Sequence, residues 1–189
     1  SGSDNLWIAD NSGKNRRQVT QFPRALMLSP AWNNDGTEIF VTVIDDEGPR
    51  EADILKVSVE TGKANVIVKN ANGRPAPLVS SPAPGAYGPV FCGKHLFYTS
   101  VKPRVYNSRV GASSSVFRMN IANGTQIELP LGGDSPMKPL ISPDGEKLLY
   151  AAMIDGKTGL RVHDLKTAAE KWLTYPIDRH QLEGRATRD

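Results

Sequence analysis

The feature that most constrains the fold of this chain is a short pattern that recurs along it. A proline opens the pattern, a turn that ends in glycine follows, and an apolar run begins three residues after the glycine. The copies are "PAWNNDGTEIFV" from Pro30, "PVFCGKHLFY" from Pro89 and "PLISPDGEKLLY" from Pro139. The middle copy has a turn two residues shorter and keeps the glycine without the aspartate. A recurring unit of this kind predicts a repeat architecture.

A second repeated unit follows each of these patterns, and one more copy of it opens the chain. Each is a short alternating apolar run that closes on a turn at Gly13, Gly62, Gly124 or Ala168. Alternation with period two, followed by a residue that tolerates positive φ, is the pattern of a strand entering a tight hairpin. A further short strand is predicted after each turn. The stretch 164–173 is compatible with a helix, but we interpret it as such a turn between two strands.

The predicted fold is all-β, a partial β-propeller of about three and a half four-stranded antiparallel blades. The turn-to-turn spacings of 49, 62 and 44 residues are near the roughly 40 to 50 residues of propeller blades. Radial stacking of four-stranded sheets buries the two apolar faces of each sheet. We expect one partial domain over 1–189, composed of a half blade (3–22), three blades (24–70, 86–131 and 137–176) and a linker to a missing blade (177–189).

The repeated residues resemble a known family. "SPDGEKLLYA" and "AWNNDGTEIFVT" look like the WD40-like repeats of TolB-type β-propellers, and "LWIADNSG" and "RVHDLKTA" are similar to the third strand and turn of those blades. The resemblance covers almost the whole chain, although the middle blade departs from it because it lacks the Asp-Gly turn. The ending "EGRATRD" resembles the segment between two blades in TolB-like propellers fused to bacterial metal-dependent amidohydrolases. The motif names a fold and leaves the function open.

Composition argues against several classes of protein. No apolar stretch is near the roughly 18 residues of a membrane helix, and no signal peptide is visible at the start. The net charge of +3 is spread along the chain without a long run of Lys or Arg, so no nucleic-acid partner is expected. Cys92 is the only cysteine, which excludes an intrachain disulfide. Its apolar surroundings indicate a small buried residue rather than a reactive thiol.

No motif in the sequence predicts catalysis. His95, His163 and His180 stand singly, without the spacing of a metal site, and no Gly-x-Ser-x-Gly elbow, phosphate loop or dinucleotide motif occurs. His163 alternates with Arg161 in a strand pattern, which indicates a structural or surface histidine. We therefore expect no catalytic residue, cofactor or metal, and a chain that is not itself an enzyme.

Binding residues are predicted on one side of the propeller. Strand direction alternates within a blade, so the second-to-third connections and the connections between blades lie on the same side. These are the long segments, 45–52, 70–88 and 102–114. Binding residues concentrate on long loops held by a rigid scaffold. The alternative is that these segments are tolerated insertions without a role.

Two of these long segments carry candidate residues. The last one places cations beside an aromatic ring, which suits an anionic or carbohydrate-like ligand or a partner's acidic patch: Lys102, Arg104, Tyr106 and Arg109. The first one and the residues that adjoin it carry carboxylates that could bind Ca²⁺, although their spacing is not that of an EF-hand: Asp45, Asp46, Glu47, Glu51 and Asp53.

The opposite side of the propeller is predicted to carry short turns. We interpret Asp35 and Asp144 as side chains that cap their own turns, with the following glycine at positive φ. The tryptophans Trp7, Trp32 and Trp172 fall in predicted strands, and we expect them to pack between blades.

The leading hypothesis is a non-catalytic TolB-like propeller segment that binds a protein, peptide or ligand through its long-loop side. The alternative is an accessory propeller that gates substrate in a larger hydrolase, an amidohydrolase or a prolyl-oligopeptidase-like peptidase, whose catalytic domain lies beyond Asp189. By resemblance, the location is periplasmic or secreted, without membrane insertion. Because three and a half blades leave a ring open, a homodimer that closes a seven-bladed ring is a further hypothesis.

Overall fold

The structure, a computed structural model, describes residues 3–44, 51–69, 85–106 and 109–174. The regular structure of these ranges is entirely β, and they contain no helix able to cross a membrane. The strands are β1 (Trp7–Ile8), β2 (Arg17–Gln18), β3 (Leu26–Trp32), β4 (Glu38–Ile44), β5 (Ala52–Ser58), β6 (Ala64–Val68), β7 (Gly85–Cys92), β8 (His95–Tyr106), β9 (Arg109–Asn120), β10 (Gln126–Glu128), β11 (Asp134–Ile141), β12 (Lys147–Ile154), β13 (Lys157–Asp164) and β14 (Glu170–Trp172).

The strands pair in groups of four, in chain order. The first blade is β3 to β6, the second is β7 to β10 and the third is β11 to β14, all with antiparallel neighbours, while β1 and β2 form the half blade. A single parallel pair, Ala52 with Gly85, joins β5 to β7 and makes the first two blades one continuous sheet. A Cβ at Gly85 would lie 2.3 Å from the carbonyl oxygen of Ala52, so this approach requires glycine. The predicted all-β partial propeller is confirmed.

The stretch interpreted as a turn rather than a helix is a turn. β13 ends at Asp164 and β14 begins at Glu170. The N–H of Ala168 donates to the carbonyl of Asp164 at 2.8 Å. Ala168 has a positive φ of 58°, and glycines with positive φ, Gly62 and Gly124, occupy the same position in the other two blades. The residues on both sides of the turn pair across β13 and β14, and these sheet contacts outweigh the local helix propensity of the stretch.

Alternate residues of a blade pack against different neighbours. In β4, Ile39 packs with Leu6 of the half blade, whereas the next residue, Phe40, packs with Leu96 of the second blade. A third apolar cluster fills the interface between the second and third blades in the same way. Side chains alternate between the two faces of a strand, so each sheet contributes to two cores. The described part of the chain is thus a row of stacked sheets.

The first strand of each blade carries a bulge at a residue that precedes proline. Ser29, Gly88 and Lys138 have φ values of 52°, 59° and 54°, and the strand register shifts beside each of them. The N–H of Gly88 donates to Thr42 Oγ1 of the preceding blade at 3.1 Å, and the N–H of Lys138 donates to Thr99 Oγ1 at 2.9 Å. The bulges at Gly88 and Lys138 are therefore hydrogen-bonded to the preceding blade, which helps to fix how adjacent blades sit together.

Two of the three tryptophans do not pack between blades. Trp7 is 61% exposed and Trp32 is 51% exposed, whereas Trp172 is half-buried. Trp7 lies on the side of the half blade that faces away from the first blade, and Trp32 ends β3 beside an exposed turn. The prediction was wrong for these two residues because strand membership does not say which face of the strand has a neighbour.

Candidate functional site

The second blade extends beyond its sheet as a two-stranded ribbon. β8 and β9 each have 12 residues, whereas β4 and β5, the same strands of the first blade, each have 7. β8 pairs with β7 as far as Val101, and its next five residues pair with β9 alone, ending at the pair Tyr106 and Arg109. At about 3.4 Å per residue, the ribbon projects roughly 17 Å past the sheet. The expectation of a loop over 102–114 is wrong, since β8 continues to Tyr106 and β9 begins at Arg109.

The ribbon, residues 102–113, brings the four predicted cationic and aromatic positions into register. Tyr106 is the Cα partner of Arg109, and positions 102, 104 and 106 alternate along β8. Alternate positions of a strand lie on one face of the ribbon. The side chain of Lys102 is exposed. The ribbon sequence contains three cations and no acidic residue, so it concentrates positive charge where the backbone projects.

The predicted carboxylates Asp45, Asp46 and Glu47 lie outside the residues that the structure describes, as does the segment 70–84. The acidic residues follow β4 directly, and Ile44 and Ala52 are paired where that connection begins and ends. The acidic connection of the first blade thus corresponds to the basic ribbon of the second blade.

The carboxylates of the opposite side are occupied in their own turns, as predicted. Asp35 Oδ1 accepts hydrogen bonds from Thr37 N at 3.0 Å and Thr37 Oγ1 at 2.5 Å, and Asp144 Oδ1 accepts from Ser142 Oγ at 2.5 Å and Glu146 N at 2.9 Å. These hydrogen bonds, led by those from the side chains of Thr37 and Ser142, lower the pKa of both aspartates. The turn aspartates are structural caps, and this side carries no free acid–base group at them.

A second concentration of polar groups lies in the third blade around Glu170. Its carboxylate accepts hydrogen bonds from Tyr150 OH at 2.9 Å, from Arg161 Nη2 at 2.9 Å and from the N–H of Gly132 at 3.1 Å. His163 Nδ1 is 3.0 Å from Glu170 Oε1 and must carry the proton there, because a carboxylate only accepts. The guanidinium of Arg161 also lies 4.8 Å from the centre of the Trp172 ring.

Burial and hydrogen bonding act in opposite directions on the carboxylate. Burial would raise the pKa of Glu170, but the hydrogen bonds from Gly132, Tyr150 and His163 and the charge of Arg161 outweigh it and lower the pKa. Burial, together with the neighbouring Glu170, raises the pKa of the Tyr150 phenol. At neutral pH Glu170 is therefore a charged acceptor and Tyr150 a protonated donor.

The Glu170 cluster is best explained as a structural anchor. Both carboxylate oxygens are already engaged, and the groups that they bind include the backbone of Gly132, in the connection between the second and third blades. A Cβ at Gly132 would lie 2.5 Å from Glu170 Oε2, so the connection fits tightly over the carboxylate. The interpretation of His163 as structural is supported: it is 5% exposed and bonded within the cluster.

Sequence reasoning missed Glu170 because the cluster depends on strand register. His163 pairs with Glu170 and Arg161 pairs with Trp172 across β13 and β14. That pairing follows from the turn that ends at Ala168, so counting outward from the turn would have placed His163 beside Glu170. The alternation of Arg161 and His163 along β13 was visible, but their shared acceptor on the next strand was not considered.

Metal-binding groups do not come together in the part of the chain that the structure describes. There, no three His, Cys, Asp or Glu side chains are placed to hold an ion. Cys92 is half-buried and packs against the apolar cluster shared by the second and third blades. Its surroundings are those of an apolar residue rather than of a reactive thiol.

No family model matches the sequence, and no curated protein sequence matches it. Solved structures do match. Putative TolB from Agrobacterium tumefaciens aligns over 92% of this chain and 57% of its own length, with 14% identity and a TM-score of 0.65. An oligogalacturonate lyase in complex with manganese aligns over 90% of this chain and 47% of its own length, with 16% identity and a TM-score of 0.61.

A third match is a puromycin-hydrolyzing peptidase from Mycobacterium tuberculosis. It aligns over 86% of this chain and 27% of its own length, with 14% identity and a TM-score of 0.60. The chain therefore spans about half the length of the first two proteins and a smaller share of the third. At these identities the likeness concerns the fold alone, and the fold is that of a TolB-like β-propeller segment.

Proposed function

We propose that this chain is a non-catalytic propeller segment that binds an acidic patch of a protein or peptide partner through the ribbon. The observation that supports this function is the five-pair extension of β8 and β9, which carries three cations and no acid. No other hairpin of the described residues extends past its sheet by this length.

The strands that lead into the ribbon are packed on both faces, which favours binding. Phe97, Tyr98 and Thr99 of β8 are each less than 5% exposed, and Tyr98 OH donates to Gln126 Oε1 at 2.7 Å. The ribbon therefore begins from strands that are fixed in two apolar cores. A binding element whose backbone is already ordered loses less entropy when it meets a partner than a free loop does.

Electrostatics give the ribbon its preference for acidic groups. Exposed Lys and Arg side chains attract carboxylates over about 8 Å at physiological salt, and this attraction raises association rates more than it raises affinity. Arg also binds carboxylates through two parallel hydrogen bonds, and Tyr adds a flat apolar surface with one polar end. Binding through the ribbon should accordingly weaken as salt is added.

The test is a binding titration with defined anionic probes. A fluorescein-labelled decaglutamate peptide is titrated with the chain at low salt, and a labelled oligogalacturonate serves as a second probe. Replacing Lys102, Arg104 and Arg109 with Ser should weaken peptide binding by about 10-fold or more. Tighter binding of the oligogalacturonate than of the peptide would instead assign the ribbon to acidic carbohydrates.

A matched control removes the same charge from the other side of the propeller. Lys14, Lys63 and Lys94 are exposed residues of short turns, and changing all three to Ser alters the net charge equally. This variant should retain peptide binding. Equal loss in both triple variants would mean that net charge rather than the ribbon attracts the peptide, and no binding by the unaltered chain at low salt would refute the proposal.

A second candidate function is an accessory propeller that gates substrate in a larger hydrolase. The observation that favours it is the likeness to the puromycin-hydrolyzing peptidase, of which the aligned part is 27%. A coding sequence that continues past Asp189 into a Gly-x-Ser-x-Gly or His-x-His motif would support this function. For either function we propose a periplasmic or secreted location, and fractionation of the producing cells tests it.

A further inference from the structure

The register of the ribbon divides it into two faces of different chemistry. Residues paired across two antiparallel strands lie on the same face, and successive residues of a strand alternate between faces. The cationic face holds all four predicted binding positions and two small residues: Lys102, Arg104, Tyr106, Arg109, Gly111 and Ser113. The apolar face holds the remaining paired positions, and none of them is polar: Pro103, Val105, Val110 and Ala112. The ribbon is therefore amphipathic, with its cations on one face only.

The strands that lead into the ribbon determine where the two faces lie. Phe97 of β8 packs in the apolar cluster shared with the third blade, and Tyr98 packs in the cluster shared with the first blade. β8 pairs with β9 without a register shift as far as Tyr106, so this alternation continues into the ribbon. The cationic face therefore lies on the side of the first blade, and the apolar face lies on the side of the third blade.

The apolar face becomes accessible where the ribbon begins. Val101 and Ser114, the pair at its base, are 7% and 9% exposed. Ala112, two residues from Ser114 along β9, is exposed. Contiguous apolar positions that project from a protein commonly mark an interaction site. A partner that offered only carboxylates would contact one face and leave the four apolar positions unused.

One edge of the ribbon can accept a further strand. The carbonyl of Val116 accepts a hydrogen bond from the N–H of Leu129, on the side of β9 that faces away from β8. Backbone groups of alternate residues are directed to the same side of a strand, so those of Ala112 and Val110 also face away from β8. Among the described residues, no strand pairs with β9 on this side before Phe117. We call the backbone of 110–113 on this side the free edge.

The opposite edge of the ribbon is less suited to pairing. Pro103 is the Cα partner of Ala112, so its backbone nitrogen lies on the outer side of β8, where it has no hydrogen to donate. Proline in an edge strand is one of the ways in which proteins prevent another strand from pairing. A further strand is therefore expected at the free edge of β9 rather than at β8.

The cationic face is arranged for carboxylates on a strand added at the free edge. Arg109 lies on β9, next to such a strand. Lys102 and Arg104 lie on β8, two strand spacings or about 10 Å from it. Their Cα partners on β9 are the small residues Ser113 and Gly111, which leave space across the middle strand. An extended Lys or Arg side chain and a glutamate side chain can together span this distance.

We infer that the partner segment bound by the ribbon is an extended chain in which acidic and apolar residues alternate, paired with the free edge as a third strand. An added strand continues the alternation of its neighbour, so its acidic residues lie beside the cationic face and its apolar residues beside the apolar face. Main-chain hydrogen bonds give affinity in this mode of recognition, and alternate side chains give specificity. The inference rests on the proposed function, because it specifies the partner of the same ribbon.

The test compares labelled peptides of equal composition. In one octapeptide Glu and Val alternate, and in the other the same residues occur as Glu-Glu-Val-Val repeats. The alternating peptide should bind at least about 10-fold more tightly, because only it places all its carboxylates on one face of a strand. Equal affinities of the two octapeptides would refute the inference, and the proposed function would stand if decaglutamate still bound. Failure of every peptide to bind would refute both.

Methylation of the peptide backbone tests the strand pairing itself. Alternate residues of a paired strand direct their N–H groups to the neighbouring strand. The alternating peptide is therefore made in two versions, one methylated at the valine nitrogens and one at the glutamate nitrogens. One version should lose about 10-fold or more in affinity and the other much less. Equal losses in the two versions would contradict pairing with the free edge.

A variant of the chain localises the pairing to β9. Ala112→Pro removes an N–H from the free edge and breaks no bond to β8, since that N–H faces away from β8. The variant should lose its preference for the alternating peptide and keep its affinity for decaglutamate, which is the internal control for an intact ribbon. An unchanged preference would overturn the assignment to the free edge. Tighter binding of the unaltered chain to phosphatidylglycerol vesicles than to the alternating peptide would assign the apolar face to a membrane instead.

Discussion

The two faces of the third blade are built from the same strands, yet one is closed and the other is open. On the inward face, Leu148 and Tyr150 have no exposed surface. On the outward face, Leu149 is half-buried and Leu160 is 37% exposed. Leu148 and Leu149 are adjacent and chemically identical, so the difference comes from the neighbour and not from the residue. In a stacked architecture, burial at a position is decided by whether another sheet lies against it.

The largest expected effect is a loss of stability when a leucine of the third blade is shortened to alanine, first on the inward face and then on the outward face. Leu148→Ala leaves a cavity in the closed core and should lower the free energy of unfolding by about 3 kcal/mol. Leu149→Ala removes the same atoms from the half-buried face and should cost less than about 1 kcal/mol in dilute solution. Urea unfolding followed by circular dichroism measures both values.

Equal costs for Leu148→Ala and Leu149→Ala in dilute solution would contradict the comparison of the two faces.

A smaller effect is expected from neutralising the polar anchor of the closed face. Glu170→Gln keeps the shape of the side chain but removes the charge that binds Arg161, and it should cost about 1 to 3 kcal/mol. Glu146→Gln is the matched control, since Glu146 forms an exposed ion pair with Lys166 and its loss should change the unfolding midpoint little. If the two substitutions had equal effects, Glu170 would not be an anchor.

The smallest effect is expected in the pH dependence of stability. The pKa of Glu170 is lowered from its ordinary value of 4.5 by its donors, after burial has opposed them. Its contribution is therefore fully present above pH 4.5 and is lost as the pH falls through the lower, folded-state pKa. Over this range the free energy of unfolding of the unaltered chain should fall more steeply with pH than that of Glu170→Gln. Plotted against pH, the free energies of unfolding of the two proteins should converge at acidic pH. Parallel curves would contradict the assignment.

Local chemistry explains what the sequence predicted well. The turns at Asp35 and Asp144 were recognisable because an aspartate, a glycine and the residues that they bond lie within a few positions of each other. The same turns set the repeat, and the repeat predicts the four-strand unit. Trp7 and Trp32 were assigned correctly to strands and wrongly to interfaces, since the presence of a neighbouring sheet is a non-local property.

The ribbon shows a different limit of sequence reasoning. The segment 102–114 was predicted as a long loop, and it contains two residues that are unfavourable in strands, Pro103 and Gly111. Pro103 lies beyond Val101, the last residue of β8 that pairs with β7, so its missing N–H breaks no bond to that strand. The candidate residues were predicted from their place in a long connection and from cations beside an aromatic ring: Lys102, Arg104, Tyr106 and Arg109. Their common register depends on the pairing of β8 with β9, which the sequence pattern did not show.

The pair between Ala52 and Gly85 has a consequence for how the molecule comes apart. It connects the first two blades through their backbones, whereas no such pairing joins the second and third blades among the described strands. Parts joined with unequal strength separate in sequence, as the weakest junction opens first. We therefore expect the junction between the second and third blades to open before the junction between the first two.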